Sequence, residues 1–145
     1  MKVSVQEEDF DLSTETRLLS KDKRVGAVAS FVGVVREVPM TLEHYPGMTE
    51  NAIRKIAEEA GKRWQVMDCT VIHRYGALEP NDQIVMVAVA SAHRGDAFQA
   101  CEFIMDYLKT QAPFWKKEER AGGAAWVEAR AADDEAAERW KKSGK

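Results

Sequence analysis

The sequence predicts a single α+β domain, residues 1–145, with a mainly antiparallel sheet. The first observation is the order of the segments, which read as strand, helix, strands, helix, strands, helix, strands, helix. The second is that short turn signals separate two pairs of strand-like runs, as expected for antiparallel hairpins. The third is that no G-x-G-x-x-G or Walker-type loop occurs, so nothing indicates a nucleotide-binding fold.

The first part of the chain is predicted to contain two strands with a short helix between them. Lys2 to Gln6 alternates like a short strand, and Ser13 is the expected N-cap of a helix that runs to about Ser20. Val25 to Val35 is apolar at both alternating positions, which is typical of a central strand covered on both faces. Its two glycines indicate a bend or the close approach of another backbone.

The middle of the chain contains the clearest helix and a hairpin. Met48 to Trp64 carries apolar residues along one face and charges along the other, which is typical of a packed surface helix. Val66 to Tyr75 and Gln83 to Ala92 are predicted to pair as a central antiparallel hairpin. Glu79 to Asp82 suits a type I turn between them.

The last part of the chain predicts two helices and a second hairpin. One helix begins near Gly95 and ends before Pro113, with an apolar face formed by Ala97, Phe98, Cys101, Ile104, Met105 and Leu108. Phe114 to Arg120 and Ala124 to Arg130 are predicted to pair around two adjacent glycines. Asp133 to Lys142 has acids first and lysines last, which indicates a short final helix.

The composition argues against several classes of function. Lys and Arg number 21 against 24 Asp and Glu, and no long basic run occurs, so nucleic-acid binding is not predicted. Cys69 and Cys101 form no C-x-x-C pair and the histidines are not clustered, so we expect buried free thiols and no metal site. The absence of a signal-peptide core or a membrane-length apolar run predicts a cytoplasmic protein with no membrane partner.

Cations and aromatic side chains concentrate in residues 91–118. His93 and Arg94 stand where the helix begins, and the backbone N–H groups there favour an anion. At about 100° per residue, Lys109 falls roughly 20° from Phe98, on or beside the apolar face. Arg94, Phe98, Met105 and Lys109 are therefore predicted to form one stripe along a pocket wall. The alternative is that these side chains cap the helix, snorkel or lie in solvent, which is common.

Three more cations extend this candidate site. Lys116 and Lys117 lie on opposite faces of a strand, so at most one of them joins Lys109, and the local sequence leaves open which. Arg36 ends the strand Val25 to Val35, where an arginine either faces a pocket or marks the return to solvent.

Five blocks in order span most of the chain: T-L-E-H-Y-P-G-M-T-E (41–50), V-I-H-R-Y-G (71–76), S-A-H-R-G-D-A-F (91–98), F-I-M-D-Y-L-K-T-Q-A-P-F-W-K-K-E (103–118) and W-V-E-A-R (126–130). Together they resemble the large, catalytic subunit of molybdopterin synthase, the MoaE family. Their order and extent make the resemblance far more specific than any single motif. It implies an α/β hammerhead-type domain with an additional small β subdomain.

The resemblance also implies an activity and partners. Each protomer of a homodimer would bind a small ubiquitin-like, MoaD-like sulfur carrier, which gives a heterotetramer. The carrier's C-terminal Gly-Gly thiocarboxylate would supply sulfur to a pterin substrate, cyclic pyranopterin monophosphate. Two transfers, through a monosulfurated intermediate, would produce the dithiolene of molybdopterin. The resemblance implies no cofactor for this sulfurtransferase step.

The site residues implied by the resemblance are named on the matching positions. Lys109 and Lys116 match the catalytic lysines, which resolves the strand ambiguity in favour of Lys116. The substrate-binding positions are Val34, Val35, Arg36, His93, Arg94, Lys117 and Glu118, and further pocket positions are Phe31, Met105 and Arg130.

These residue types suit the implied chemistry. A thiocarboxylate and a cyclic phosphate are both anions, and arginine offers phosphate a planar two-donor fork. Partial desolvation near other cations would make Lys109 a proton-transfer group, while Lys116 would stabilise an oxyanion, or the two roles would be exchanged. The competing interpretation is a noncatalytic module that binds a ubiquitin-like tail or a phosphate ligand.

One feature departs from the family. Only Glu37-Val38-Pro39 stands between Arg36 and the block that begins at Met40-Thr41, where family members commonly have a longer polar loop. In the family that loop would cover the pterin or contact the second protomer, and this chain has only the short link there.

Overall fold

The structure is a computed structural model that describes residues 1–120, 123–127 and 131–143, with side chains described for residues 1–118 and 134–141. Its elements in chain order are β1 (Lys2–Gln6), α1 (Leu12–Leu19), β2 (Ala27–Val34), β3 (Met40–His44), α2 (Met48–Arg63), β4 (Asp68–Arg74), β5 (Gly76–Leu78), β6 (Gln83–Ser91), α3 (Arg94–Gln111), β7 (Phe114–Arg120), β8 (Gly123–Val127) and α4 (Ala131–Ser143).

Within the described residues the strands form two four-stranded sheets. The main sheet has the order β1-β4-β6-β2, in which β1 lies parallel to β4 and the other pairs are antiparallel. The second sheet has the order β5-β3-β7-β8, and each of its pairs is antiparallel. The predicted α+β class with a mainly antiparallel sheet is therefore confirmed.

The central strand β6 contributes to two cores, one on each face of the main sheet. Val85, Val87 and Val89 face the larger core, which α2 and α3 cover. Met86, Ala88 and Ala90 face the smaller core, which contains Leu19 of α1. Full burial of one large apolar side chain contributes about 1.5 to 3 kcal/mol, so this two-sided burial makes β6 the centre of the fold.

The final helix α4 packs against the larger core. Trp140 contacts Trp64 edge-on, with 5.4 Å between ring centroids, and its indole Nε1 donates to Asp106 Oδ2 at 2.6 Å. Arg63 of α2 donates to the Trp140 carbonyl oxygen at 3.0 Å and lies over the ring of Phe103. Among the described residues, no helix combines the length and the apolar character that a membrane span requires.

The strand β2 corrects one prediction and confirms another. It lies at the edge of the main sheet, so the predicted central position was wrong, and Phe31 and Val34 are 42% and 50% exposed. Apolar residues on both faces of a strand indicate that both faces are buried. They do not indicate whether the same chain or another chain packs against them. The close approach predicted from the glycines is confirmed, because a Cβ on Gly26 would stand 2.2 Å from the carbonyl oxygen of Ala92.

Two local predictions were wrong in detail. Asp11, not Ser13, caps α1, because its carboxylate accepts hydrogen bonds from Ser13 N at 3.1 Å and from the Thr14 hydroxyl at 3.0 Å. The turn before β6 has Asn81 at a φ of 74°, which a type I turn does not allow at its third position. The backbone bond from Asp82 N to Glu79 O makes it a type II turn.

The helical faces also differ from prediction at two positions. Met48 and Phe98, both predicted on apolar faces, are 63% and 62% exposed. Ile104 is fully buried, and Phe98 projects about 120° away from it, at the margin of the face that packs on the sheet. The residues of α3 that are buried are Ala97, Ala100, Cys101, Phe103, Ile104, Met105, Tyr107 and Leu108.

Candidate active site

The helix α3 runs back along β6 and carries predicted site residues at both of its ends. Cys101, in the middle of the helix, donates its thiol hydrogen to the carbonyl oxygen of Val87, in the middle of the strand, at 3.6 Å. His93 is the N-cap residue and Arg94 the first helical residue, whereas Lys109 lies in the last turn. At about 1.5 Å per residue, Arg94 and Lys109 stand roughly 22 Å apart along the helix axis.

The pairing of the edge strand β2 with β6 places Arg36 at the same end of the main sheet as Lys109. Pairing with β6 begins at Ala27 opposite Ser91 and finishes at Val34 opposite Gln83. Arg36 follows Val34 and is exposed, so it lies at the end of the sheet remote from His93. The short link is a γ-turn centred on Glu37 at a φ of 74°, in which Val38 N donates to Arg36 O at 2.9 Å.

Lys109 is exposed in the single chain. It projects about 140° from the buried Ile104, on the same side of α3 as the exposed Phe98. The partial desolvation expected for Lys109 is therefore not provided by this chain alone. A bound ligand or a second protein chain would have to supply it.

Lys116 and Lys117 project from opposite faces of β7. Phe114, Lys116 and Glu118 share one face, as alternation requires, and Trp115 and Lys117 share the other. The Lys116 ammonium lies 3.1 Å from Glu118 Oε1, and the Glu118 side chain is the more buried partner, 11% exposed against 38%. A largely buried carboxylate thus holds the Lys116 ammonium beside it.

His73 on β4 interacts electrostatically with Lys109 and stacks on Phe114, which lies two positions before Lys116. Its ring stacks on Phe114 with a centroid distance of 3.8 Å and an interplanar angle of 18°. Burial lowers the pKa of His73 to about 4 against the opposing hydrogen bond to the Arg74 carbonyl oxygen, and the nearby Lys109 ammonium lowers it further. The neutral ring donates from Nδ1 to that oxygen at 2.9 Å.

Sequence analysis missed His73 as a site residue, although it lies in the block V-I-H-R-Y-G. The signal that indicates it is a histidine that directly follows the apolar pair Val71 and Ile72 in a predicted strand. The aromatic residue it contacts, Phe114, lies 41 positions further along the chain and belongs to the other sheet. Local spacing does not reveal that contact.

The other predicted pocket positions are spread over the fold. Phe31 and Val34 are exposed on β2, whereas Val35 is buried beside Met40 and Leu42 of β3. Met105 is 8% exposed and belongs to the larger core. Arg130 lies outside the described residues. A groove of about 510 Å³ between α2 and α3, which includes Met48, Lys55 and Tyr107, contains none of the predicted site residues.

The protein therefore has an α+β fold. Arg36 and Lys109 form a candidate anion-binding site at one end of its main sheet. Solved structures share this fold. A MoaE protein from Burkholderia ambifaria superposes with a TM-score of 0.85 and 56% identity, covering 97% of this chain and 98% of that one. A molybdopterin synthase from Staphylococcus aureus superposes with a TM-score of 0.80 and 31% identity, covering 86% of this chain and 95% of that one.

Sequence comparison agrees with the structural one. The family described as "MoaE protein" matches residues 5–111. A molybdopterin synthase catalytic subunit from Ralstonia nicotianae is 57% identical over 95% of this chain and 83% of its own length. One from Cereibacter sphaeroides is 52% identical over 97% of this chain and its entire length. The chain belongs to the MoaE family, which confirms the resemblance predicted from its motifs.

Proposed function

We propose that this chain is the catalytic subunit of a molybdopterin synthase. It would transfer sulfur from the C-terminal thiocarboxylate of a MoaD-like carrier to cyclic pyranopterin monophosphate and so form the dithiolene of molybdopterin. The observation that carries the proposal is that Lys109 acts electrostatically on His73, whose ring stacks on Phe114, two positions before Lys116 on the same face of β7, in a chain whose relatives bear this name. One domain over residues 1–145 and a cytoplasmic location belong to the same proposal.

The contacts of the two lysines support separate roles. Lys116 is held by Glu118, so it is the better candidate for a fixed cation that stabilises a carbonyl oxyanion when the carrier's carbon–sulfur bond breaks. Within the described residues Lys109 has no carboxylate partner, and it is exposed, so its amine is accessible for proton transfer once a ligand covers it. Arg36, at the same end of the sheet, suits the cyclic phosphate.

The placement of His93 and Arg94 supports a site shared between two chains. These residues lie roughly 22 Å from Lys109 along α3, too far to hold the same small ligand within one chain. Antiparallel pairing of the β2 edges of two copies would bring the His93 end of one copy beside the Arg36 end of the other. The exposed Phe31 and Val34 on that edge would then be covered, as an apolar edge strand requires.

The test is a reconstituted reaction with cyclic pyranopterin monophosphate and a thiocarboxylated carrier, in which molybdopterin is detected as its fluorescent oxidation product. Wild type is expected to form product, and Lys109→Ala is expected to bind the carrier but lose turnover. Lys55→Ala, which removes an exposed lysine of α2, is the matched control and is expected to keep full activity.

Three outcomes separate the interpretations. Normal turnover by a folded Lys109→Ala variant contradicts the role of this lysine. Carrier binding by a wild-type protein that forms no product favours the noncatalytic binding module. Equal loss in Lys55→Ala would show that the effect is a general one of lysine removal.

A further inference from the structure

Four aromatic rings join the two sheets, and we call them the ring column: Tyr75, His44, Phe114 and His73. Successive centroids are 4.5 Å apart for Tyr75 and His44, 6.0 Å for His44 and Phe114, and 3.8 Å for Phe114 and His73. His73 belongs to the main sheet, whereas His44 and Phe114 face each other in register in the second sheet. The ring column is therefore a contact between two separately hydrogen-bonded sheets.

The two candidate catalytic lysines lie on opposite sides of this contact. Lys109 is on α3, which packs on the main sheet, and Lys116 is on β7 of the second sheet. Between helix and strand the backbone turns at Pro113, where Phe114 N donates to the Ala112 carbonyl oxygen at 2.9 Å. Phe114 is the first residue of β7, two positions before Lys116 and on the same face. A shift of the backbone at Phe114 would therefore also move Lys116.

The His73 ring, which stacks on Phe114, is held in place by a hydrogen bond. His73 donates from Nδ1 to the Arg74 carbonyl oxygen at 2.9 Å. The Arg74 guanidinium in turn donates to the carbonyl oxygens of Glu7 and Gln83, each at 2.9 Å. His44, whose ring also contacts Phe114, has its Nδ1 3.2 Å from the hydroxyl of the fully buried Thr49. Both histidine rings that contact Phe114 therefore have a hydrogen-bonding partner of their own.

We propose that His73 is a positioning residue for sulfur transfer, whose ring, stacked on Phe114, holds the start of β7 so that Lys116 meets the same ligand as Lys109. The proposal rests on the proposed function, since it assigns a purpose to the alignment of these two lysines. His73 touches neither substrate nor carrier in this role. It acts through Phe114, and the aromatic face of its ring is the part that matters.

Three variants test this role. His73→Phe keeps an aromatic face and removes both nitrogens, whereas His73→Ala removes the face. Leu19→Ala truncates a buried side chain in the smaller core on the other face of the main sheet, and serves as a control for general loss of stability. If His73→Ala does not fold, His73→Leu takes its place, because it fills the volume without an aromatic face.

The first readout is steady-state sulfur transfer. Since a misplacement of about 1 Å costs up to roughly 100-fold in rate, kcat of His73→Ala is expected to fall about 10- to 100-fold while KM for the carrier changes less. His73→Phe is expected to restore most of the rate. Leu19→Ala is expected to keep its kcat. A normal kcat in His73→Ala, or an equal fall in Leu19→Ala and His73→Ala, overturns the proposal.

The second readout does not need the enzyme to be active. An amine-acylating reagent is applied to the folded protein, and the labelling rates of Lys116 and Lys117 are compared by mass spectrometry. Their ratio is expected to change in His73→Ala and to stay at the wild-type value in His73→Phe and Leu19→Ala. An unchanged ratio in His73→Ala refutes the positioning role. Absence of product from wild type would refute the proposed function, and the labelling ratio would still decide the role of His73.

Discussion

Replacing Gly26 by alanine is the sharpest test of how the fold holds the His93 end of the site. The added Cβ would stand 2.2 Å from the carbonyl oxygen of Ala92 and 3.3 Å from its carbonyl carbon. Both are backbone atoms, and the hydrogen bond from Gly26 N to Ser91 O, at 3.0 Å, holds the two segments together. An ordinary carbon–oxygen contact needs roughly 1 Å more, so one of the two backbones has to move.

The expected cost is that of overpacking, about 1 to 3 kcal/mol. For a protein of this size it corresponds to a fall in Tm of about 3 °C per kcal/mol. Since Ala92 immediately precedes the N-cap residue His93, the shift would also displace the cations at the start of α3. Gly26→Ala is therefore expected to weaken the binding of an anionic ligand as well as the fold.

Urea denaturation of Gly26→Ala and Gly61→Ala measures the effect against a matched control. Gly61 lies within α2, and a Cβ there would meet nothing within 4 Å. Alanine at that position is expected to stabilise the protein by about 0.5 to 1 kcal/mol, because glycine is the poorer helix former. An unchanged unfolding midpoint for Gly26→Ala, or an equal loss for Gly61→Ala, would refute this reasoning.

Three further predictions concern local interactions. Asp11→Ala is expected to destabilise the protein by about 1 kcal/mol in urea denaturation and Ser13→Ala by much less, and equal effects would contradict the capping assignment. Burial raises the pKa of Cys69 to about 11 and that of Cys101 to about 12, so neither thiol is expected to react with a disulfide reagent at pH 8 until denaturant is added; rapid labelling of native protein would contradict this. The pKa of His73 is lowered from 6.5 to about 4 in the folded protein. As the pH falls below about 6.5, the unfolded protein therefore binds a proton at His73 before the folded protein does, and the free energy of unfolding decreases down to about pH 4. His73→Phe should flatten that pH dependence by no more than about 3 kcal/mol, and identical pH profiles for the two proteins would refute the assignment.

Most elements could be predicted from the sequence because their signals lie in neighbouring residues. The bounds predicted for β1 agree with the structure, and α2 ends one residue before the predicted Trp64. The position of β2 in the sheet could not be predicted in the same way. Its apolar residues on both faces indicate that both faces pack against other parts of the protein. They do not indicate which part packs there, because that part is distant in the sequence or belongs to another chain.

The roles of Lys109, Lys116, His93 and Arg94 stay predictions from the motif blocks. Their arrangement could not be predicted, because a projection of α3 down its axis shows angles and omits the length of helix between Arg94 and Lys109. His73 was missed because its meaning depends on a stack with a residue of the other sheet. Spacing within one element predicts faces well, whereas it says little about contacts between elements.

The strand order of the main sheet has a consequence during synthesis. β1 pairs with β4, whose residue Thr70 stands opposite Lys2, and β2 pairs with β6, which finishes at Ser91. At about 5 to 20 residues per second, roughly 3 to 11 seconds pass between the emergence of β2 and that of the last residue it pairs with. Until that interval ends, an eight-residue strand with apolar side chains lacks its complete partner from its own chain. Nascent chains of this protein are therefore expected to be most vulnerable to aggregation before residue 91 has left the ribosome.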